Sequence, residues 1–284
     1  MTQVEQLLAD PFSFYARVGL DLPSLDRLDA PLGPPTKGNL LHAVLEAWVQ
    51  GGADSLDGLM AIADAHLAAP GITDVVRALW GPRAKAALEW AGTTIIAAQR
   101  EGRSPAVVER KGTLAIGDVT LSGKPDRIDS LPDGTLAVVD YKTGTSPKKV
   151  AVEAGFALQL GLLGAMVERG VFGDDSTAEV SGYEYWRLRR SDKGAFGYCE
   201  APFSAKGSVQ ADNFADLALR KTEAAVRSYL IGDEPFVAKL HPEWAPYGDY
   251  DQLMRFEEWN GRGGEPVMPA HVEPAADAAT GDAS

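Results

Sequence analysis

One stretch of the chain, Gly123–Gly144 (GKPDRIDSLPDGTLAVVDYKTG), restricts the possible folds more than any other. Its Asp133-Gly134 pair is a strong signal for a tight turn between two strands. Residues 126–131 and 135–141, on either side of that turn, are therefore predicted as the two strands of a hairpin. The second strand contains the apolar run LAVV, which is typical of a buried strand.

Charged residues lie at the ends of these two strands. Side chains alternate along a strand, so Asp140 and Lys142 are predicted to share one face. The hairpin can bring Asp126 on the first strand and Asp140 on the second within reach of one cation. Asp129 and Asp133 are predicted to be turn residues only.

Paired carboxylates next to a lysine suit hydrolysis of a phosphodiester. The phosphate is anionic and repels hydroxide, whereas a divalent cation neutralises it and lowers the pKa of a bound water. Mg²⁺ prefers oxygen ligands such as carboxylates, and a nearby lysine can orient the water or stabilise the transition state. Structural charge networks look the same in sequence, so the spacing alone leaves both interpretations open.

Two polar residues lie in otherwise apolar helical segments. His42 shares a helix face with Glu46, four residues away. It is either a half-buried histidine with a carboxylate partner or a metal ligand, if the sheet presents carboxylates to the same place. Gln159 must form hydrogen bonds to offset desolvation. It either bonds a loop carbonyl or lies near the active centre or the DNA.

The remaining pattern predicts an α/β or α+β fold, with a sheet flanked by helices. The predicted helices are 3–18 (interrupted at Pro11), 38–50, 55–67, 73–100 (broken or bent at Pro82 and Gly92), 150–169 and 210–231. The further predicted strands are 106–116, 119–123, 179–188 and 196–201, with a loop at 19–36. We expect one domain over residues 1–260, helical to about residue 104 and a sheet core from 105, and a disordered acidic tail at 261–284.

Composition excludes several classes of protein. The only cysteine, Cys199, excludes a disulfide framework, a cysteine-based zinc site and an iron–sulfur cluster within this chain, and favours a reducing cytoplasm. The start lacks a basic segment, and the most apolar stretch, 156–167, is too short to span a bilayer, so no membrane contact is expected. The sequence contains no Walker A motif, so no ATP site is expected in this chain. The net charge of −13 predicts that any DNA contact is local, or that a partner supplies positive surface.

Four ordered motifs resemble those of the RecB-like branch of the PD-(D/E)xK nuclease superfamily. They are Gly38–His42, Gly123–Asp129, Asp140–Gly144 and Gln159. The resemblance is closer still to the C-terminal nuclease region of AddB proteins, and it extends over about residues 3–260. It includes the opening VEQLLADPFSFYARVGLDL, EYWRL at 184–188 and WAPYGDYDQLMRFEEW at 244–259.

The resemblance implies a role for each matching residue within a central mixed β-sheet flanked by helices, with an N-terminal helical elaboration. The metal, Mg²⁺ or Mn²⁺, would be held by His42, Asp126, Asp140 and the Tyr141 backbone carbonyl. Asp126, Asp140 and Lys142 would be the catalytic residues. Gln159, Glu109 and Arg127 would support the site or contact DNA. Leu163 stands where the family often has a tyrosine.

The implied function is a metal-dependent exonuclease that cuts DNA ends, single-stranded in particular. It would act in double-strand break repair and recombination with an AddA-type helicase–nuclease subunit. One alternative is a catalytically weak, nuclease-like module that binds DNA or scaffolds a helicase partner. A metal-dependent hydrolase of a non-nucleic substrate is disfavoured, because His66, His241 and His271 are scattered along the chain.

Overall fold

The computed structural model describes residues 1–23, 34–173, 177–191, 196–245 and 248–255. The chain divides into two units, residues 1–246 and residues 247–284. The described part of the second unit contains a short helix, α9 (Asp251–Met254). The tail predicted for 261–284 lies outside the described residues, and so does most of the loop predicted for 19–36.

The first unit begins with helices. They are α1 (Thr2–Ala9), α2 (Pro11–Phe14), a π-helical turn (Tyr15–Gly19), α3 (Pro34–Gln50), α4 (Leu56–Leu67) and α5 (Asp74–Arg100). Pro11 lies in the first turn of α2, where its missing N–H removes no helical hydrogen bond. Ser55 and Thr73 cap α4 and α5 with their hydroxyl oxygens.

Helix α5 is continuous through Pro82 and Gly92, so of the two predicted outcomes, a break or a bend, the break does not occur. At Gly92 a Cβ would come within 2.6 Å of Leu59 Cδ2 and 2.8 Å of Leu56 Cδ2. This glycine therefore allows α4 to pack closely on α5. Tertiary packing of the buried face of α5 outweighs the weak helix propensity of both residues.

The sheet of the first unit is mixed. Its strands are β1 (Ser104–Val108), β4 (Arg127–Ser130), β5 (Leu136–Lys142), β6 (Val180–Arg190) and β7 (Phe196–Glu200), in the spatial order β1-β4-β5-β6-β7. The β5–β6 pair is parallel and the other pairs are antiparallel. Strands β2 (Gly112–Ile116) and β3 (Val119–Gly123) form a separate hairpin. The predicted α/β class, a mixed sheet flanked by helices, is confirmed.

The later helices are α6 (Lys149–Glu153), α7 (Gln159–Glu168) and α8 (Ala211–Ala225), which continues into a π-helical turn (Val226–Ile231). The single helix predicted at 150–169 is wrong. The chain leaves the helical path after α6, with Gly155 at φ +79°, and becomes helical again at Gln159.

Both faces of the sheet are buried, because alternate residues of β5 enter different cores. Leu136 and Val138 pack with α7 and α8 on one face. Val139 and Tyr141 pack with α3, α4 and α5 on the other. By the same alternation Asp140 and Lys142 emerge on the face of α7, which confirms that they share a face.

The strand predicted at 106–116 is wrong, because the chain turns between β1 and β2. Glu109 has a φ of +49°, a left-handed conformation that ends β1. The prediction for Asp129 is also wrong. Asp129 lies within β4 and is buried, and its carboxylate bonds the guanidinium groups of Arg103 and Arg127. Asp133 does stabilise the turn, since its side chain accepts from the N–H and hydroxyl of Thr135.

Among the described residues, no helix is both long enough and apolar enough to cross a bilayer.

Candidate metal centre

Three polar side chains meet at the end of the hairpin. His42 comes from α3, Glu109 from the residue after β1, and Asp126 from the residue before β4. His42 Nδ1 is 3.3 Å from Asp126 Oδ1 and 3.6 Å from Glu109 Oε1. One possible ligand atom from each residue lies within 4.8 Å of the others, close enough for the three to hold one metal ion.

His42 is bonded on both ring nitrogens. Its Nε2 lies 3.1 Å from the Tyr141 carbonyl oxygen, while Nδ1 faces the two carboxylates. A ring with acceptors on both sides donates to both only when it is doubly protonated. Burial alone would lower the pKa of His42, but its hydrogen bonds to Asp126 and Glu109 and their charges outweigh burial and raise the pKa to about 10.

Glu109 is positioned by its own backbone. Its N–H is shared between the carbonyl oxygens of Pro125 and Asp126, at 3.1 and 3.2 Å, which fixes the left-handed turn beside the metal-binding candidates. Lys124 Nζ lies 2.6 Å from Glu109 Oε2. Burial would raise the pKa of Glu109, but the bonds from His42 and Lys124 dominate and lower it.

Tyr141 contributes its main chain to this cluster. Its N–H donates to Asp126 Oδ2 at 2.6 Å, and its carbonyl oxygen faces His42. Within a strand the N–H and C=O of one residue point to the same side. Strand β4 begins only at Arg127, opposite Val139, so Tyr141 lies beyond the β4–β5 ladder and both groups are open to side chains.

Asp140, Lys142 and Gln159 form a second group, on the α7 face. Lys142 Nζ lies 2.8 Å from Asp140 Oδ2 and 3.4 Å from Gln159 Oε1. Gln159 Nε2 donates to Asp140 Oδ1 at 3.0 Å. Burial and the charge of Asp126 raise the pKa of Asp140 to about 6, although Lys142 opposes them.

The structure therefore brings the sequence-predicted residues together as two adjacent groups joined by Tyr141. Glu109, expected to support the site or contact DNA, lies as close to His42 and Asp126 as a ligand would. The combination of an imidazole, carboxylates and a backbone carbonyl suits Mg²⁺ or Mn²⁺. The side chains of His42 and Asp126 remain partly accessible, with 27% and 14% exposed, so an ion can reach them.

Arg127 is buried behind the candidate site. Its side chain is 2% exposed, and its guanidinium donates to Asp129 and to the phenol oxygen of Tyr141, 2.6 Å away. Arg103 joins Asp129 to Glu184 on β6. Breaking such a buried ion-pair network by removing one partner costs about 3–5 kcal/mol, so the network fixes β4 against β5 and β6.

Glu5 on α1 contacts the site, although no pattern in the sequence points to it. Its Oε1 accepts the backbone N–H groups of Leu158 and Gln159 at 2.7 and 2.9 Å. Glu5 thus occupies the N-terminus of α7, where helix N–H groups lack helical partners and favour a negative charge. Burial raises the pKa of Glu5 despite these hydrogen bonds. A carboxylate 154 positions before its partner leaves no local signal.

The fold and the site together define an α/β protein with a candidate divalent-metal centre at the end of its central hairpin. The family model of the PD-(D/E)XK nuclease superfamily matches residues 1–246, and the chain belongs to that superfamily.

Relatives of the chain are found in Rickettsia. Uncharacterized proteins of Rickettsia conorii and Rickettsia bellii are each 27% identical to it, over 173 and 169 residues. A third uncharacterized protein, from Rickettsia felis, is 26% identical over 173 residues. Each alignment covers 56% of this chain, and the chain spans a fifth (20%) of the length of these relatives.

Proposed function

We propose that this chain is a metal-dependent deoxyribonuclease that hydrolyses phosphodiester bonds. The observation that supports this most directly is the assembly of His42, Glu109 and Asp126 beside the Asp140–Lys142 pair. Membership of a nuclease superfamily agrees with it. His42, Asp126, Asp140 and the Tyr141 carbonyl would hold Mg²⁺ or Mn²⁺, with Glu109 as a further ligand.

The metal, when bound, supplies charge neutralisation at the phosphate and a water of lowered pKa. The protein supplies the positioning. Two of the three N–H donors of Lys142 face Asp140 and Gln159, so the third can donate to a water or a phosphate oxygen. Gln159 keeps Asp140 oriented, and Glu5 holds Gln159 at the start of α7.

We further propose that the substrate is a DNA end, and that the chain acts as an exonuclease with an AddA-type subunit in double-strand break repair, in the cytoplasm. The motifs shared with AddB-type nuclease regions support this role. The single cysteine supports a reducing compartment.

The test is a cleavage assay on 5′- and 3′-labelled single- and double-stranded DNA, with Mg²⁺, with Mn²⁺ and with chelator. We expect Asp140→Asn and Lys142→Ala to lower the cleavage rate at least a hundredfold, since each removes a group at the reacting phosphate. Matched controls are Asp64→Asn and Lys85→Ala, which alter an ion pair (2.5 Å) between α4 and α5 and should cut like the parent.

Equal cutting by Asp140→Asn, Lys142→Ala and the parent would refute the proposed site. DNA binding without cutting in either metal would instead favour a nuclease-like module that binds DNA or scaffolds a helicase.

A further inference from the structure

A groove of about 730 Å³ opens beside the site, on the side of α3, α5 and the end of β6. Its polar lining includes Lys37, Arg83, Arg189 and Arg190, and its apolar lining includes Trp80 and Phe196. The side chains of Arg83 and Arg190 are exposed, and the other four are partly buried.

The charge of this groove is opposite to that of the chain. The net charge is −13, yet among the described residues that line the groove there are four cations and no carboxylate. Within the described residues, none of these four cations forms an ion pair, and the buried Nε of Arg189 has no hydrogen-bond partner. Unneutralised cations facing one cavity attract a polyanion, and field lines concentrate in such clefts.

The groove is lined by residues adjacent in the chain to the proposed active site. Thr143 and Gly144, which line it, directly follow Lys142. Gly38, one turn before His42 on α3, packs against Thr143: a Cβ there would lie 3.3 Å from Thr143 Oγ1. The lining residues Thr143 and Leu41 are thus the chain neighbours of Lys142 and His42.

Two aromatic side chains make the groove more suitable for a single strand than for a duplex. Trp80 on α5 and Phe196 at the start of β7 both line it. Unpaired bases can stack on aromatic side chains, whereas the bases of a duplex are already stacked and paired.

We propose that this groove binds one nucleic-acid strand, with its phosphates on the four cations and its bases against Trp80 and Phe196, and guides the strand to Lys142. The inference rests on the proposed nuclease function and specifies its substrate as a single strand.

The experiment measures binding separately from cleavage. A fluorescent single-stranded thymidine oligonucleotide is titrated with the full chain in EDTA, and anisotropy gives Kd at several salt concentrations. With four phosphate contacts, the slope of log K against log salt should be about −3, since each contact contributes about −0.7 for single strands.

Two sets of variants test the two kinds of contact. Arg83→Glu combined with Arg190→Glu should weaken binding at least tenfold and reduce the salt slope by about 1.4, because two phosphate contacts are lost. Trp80→Leu should weaken binding roughly tenfold and leave the slope unchanged, because stacking carries no counterion. Lys85→Glu, on the same helix but outside the groove, is the matched charge control and should bind better than the groove variants.

The outcomes separate the two proposals. If the parent cuts DNA and the groove variants bind and cut as it does, the groove proposal is overturned and the nuclease proposal stands. If the parent cuts nothing but the groove variants lose binding, the groove is supported and the nuclease proposal fails. Tighter binding of duplex than of single strand by the parent would also overturn the groove proposal.

Discussion

The imidazole ring of His42 lies between two carboxylates on one side and a carbonyl oxygen on the other, and the carboxylates raise its pKa to about 10. The ring is therefore protonated at neutral pH. A metal ion needs an unprotonated ring nitrogen, so the proton and the metal compete for the same position.

This competition predicts that Mn²⁺ binding at pH 7.5 releases about one proton per chain. The apparent affinity should rise with pH, up to about tenfold for each pH unit below the pKa of His42, because the competing proton becomes scarcer. Calorimetry in two buffers of different ionisation enthalpy measures the proton. The variant His42→Gln should bind Mn²⁺ more weakly and release fewer protons. A binding heat in the parent that does not depend on the buffer would contradict the prediction.

Single residues also show where sequence reasoning succeeds. The shared face of Asp140 and Lys142 follows from strand alternation. Their contacts with Gln159 match one of the two alternatives that remained open for an amide in need of a partner. The sequence does not predict Glu109 as a ligand, because its position depends on a left-handed backbone turn that no residue type indicates. Glu5 was missed because its contacts are distant in sequence.

At the scale of elements, helix α7 depends on α1 for its first turn. The N–H groups of Leu158 and Gln159 would be left without protein acceptors if Glu5 were removed. Leaving buried donors unsatisfied costs about 1–3 kcal/mol, and here it would also release the residue that orients Asp140.

We therefore predict that Glu5→Ala lowers kcat for DNA cleavage about tenfold or more, with a smaller change in KM. Glu5→Gln should largely restore kcat, because its amide oxygen can accept the same N–H groups. Steady-state kinetics on chain that circular dichroism shows to be folded measure this effect. An equal loss of kcat in Glu5→Gln and Glu5→Ala would show that hydrogen bonding to α7 is not the cause.

The packing of α7 on α8 gives a prediction about stability. A Cβ at Gly161 would lie 2.8 Å from Ala218 Cβ and 2.9 Å from the Phe214 carbonyl oxygen, neither of which can move away easily. Gly161→Ala should destabilise the chain by about 1–3 kcal/mol from overpacking, which exceeds the gain in helix propensity of about 1 kcal/mol. Urea unfolding measures this change in the free energy of unfolding.

The matched control is Gly144→Ala, where a Cβ would meet no atom within 4 Å. That variant should unfold at the same urea concentration as the parent or slightly higher. A gain in stability from Gly161→Ala would mean that the two helices can move apart at little cost.

The predictions of helices and strands are correct where the sequence signal is local, and wrong where tertiary packing determines the structure. The hairpin formed as expected around Gly134, whose φ is +84°, because a tight turn has a strong local signature. Helix α5 continues through Pro82 because its buried face packs against the sheet and α4, which propensity does not include. The parallel β5–β6 pair was not foreseen, because a strand's sequence does not state its partner.

At the scale of the whole molecule, the proposed metal ligands come from elements that only the folded chain brings together. A ligand that binds only the folded state stabilises it by RT ln(1 + [L]/Kd), which is about 2.7 kcal/mol at a hundredfold excess over Kd. We therefore expect Mn²⁺ to raise Tm and EDTA to reverse the increase.

The variant Asp126→Asn keeps an acceptor for the Tyr141 N–H but loses a charged ligand, so its Tm should respond much less to Mn²⁺. The surface variant Asp64→Asn serves as the control and should respond like the parent. Differential scanning calorimetry at fixed metal concentration makes the comparison. An equal response in Asp126→Asn would show that the metal acts elsewhere.

The net negative charge of the chain also bears on where DNA could bind. The sequence predicted that any DNA contact would be local, since a net charge of −13 opposes a polyanion over most of a surface. The groove at Thr143 and Gly144 is lined by cations and, over the part of the chain that the structure describes, by no carboxylate, which fits a local contact. Composition alone could not locate it, because its cations come from α3, α5 and β6.

The main chain of Tyr141 lies at the proposed metal centre, while its phenol lies in the core and bonds Arg127. No side-chain substitution can delete a carbonyl oxygen. In a saturation mutagenesis screen, position 141 would therefore behave like a core residue, tolerant of whatever packs and folds. Its contribution to chemistry would stay invisible to such a screen, and only backbone editing, such as an amide-to-ester exchange at this strand, would reveal it.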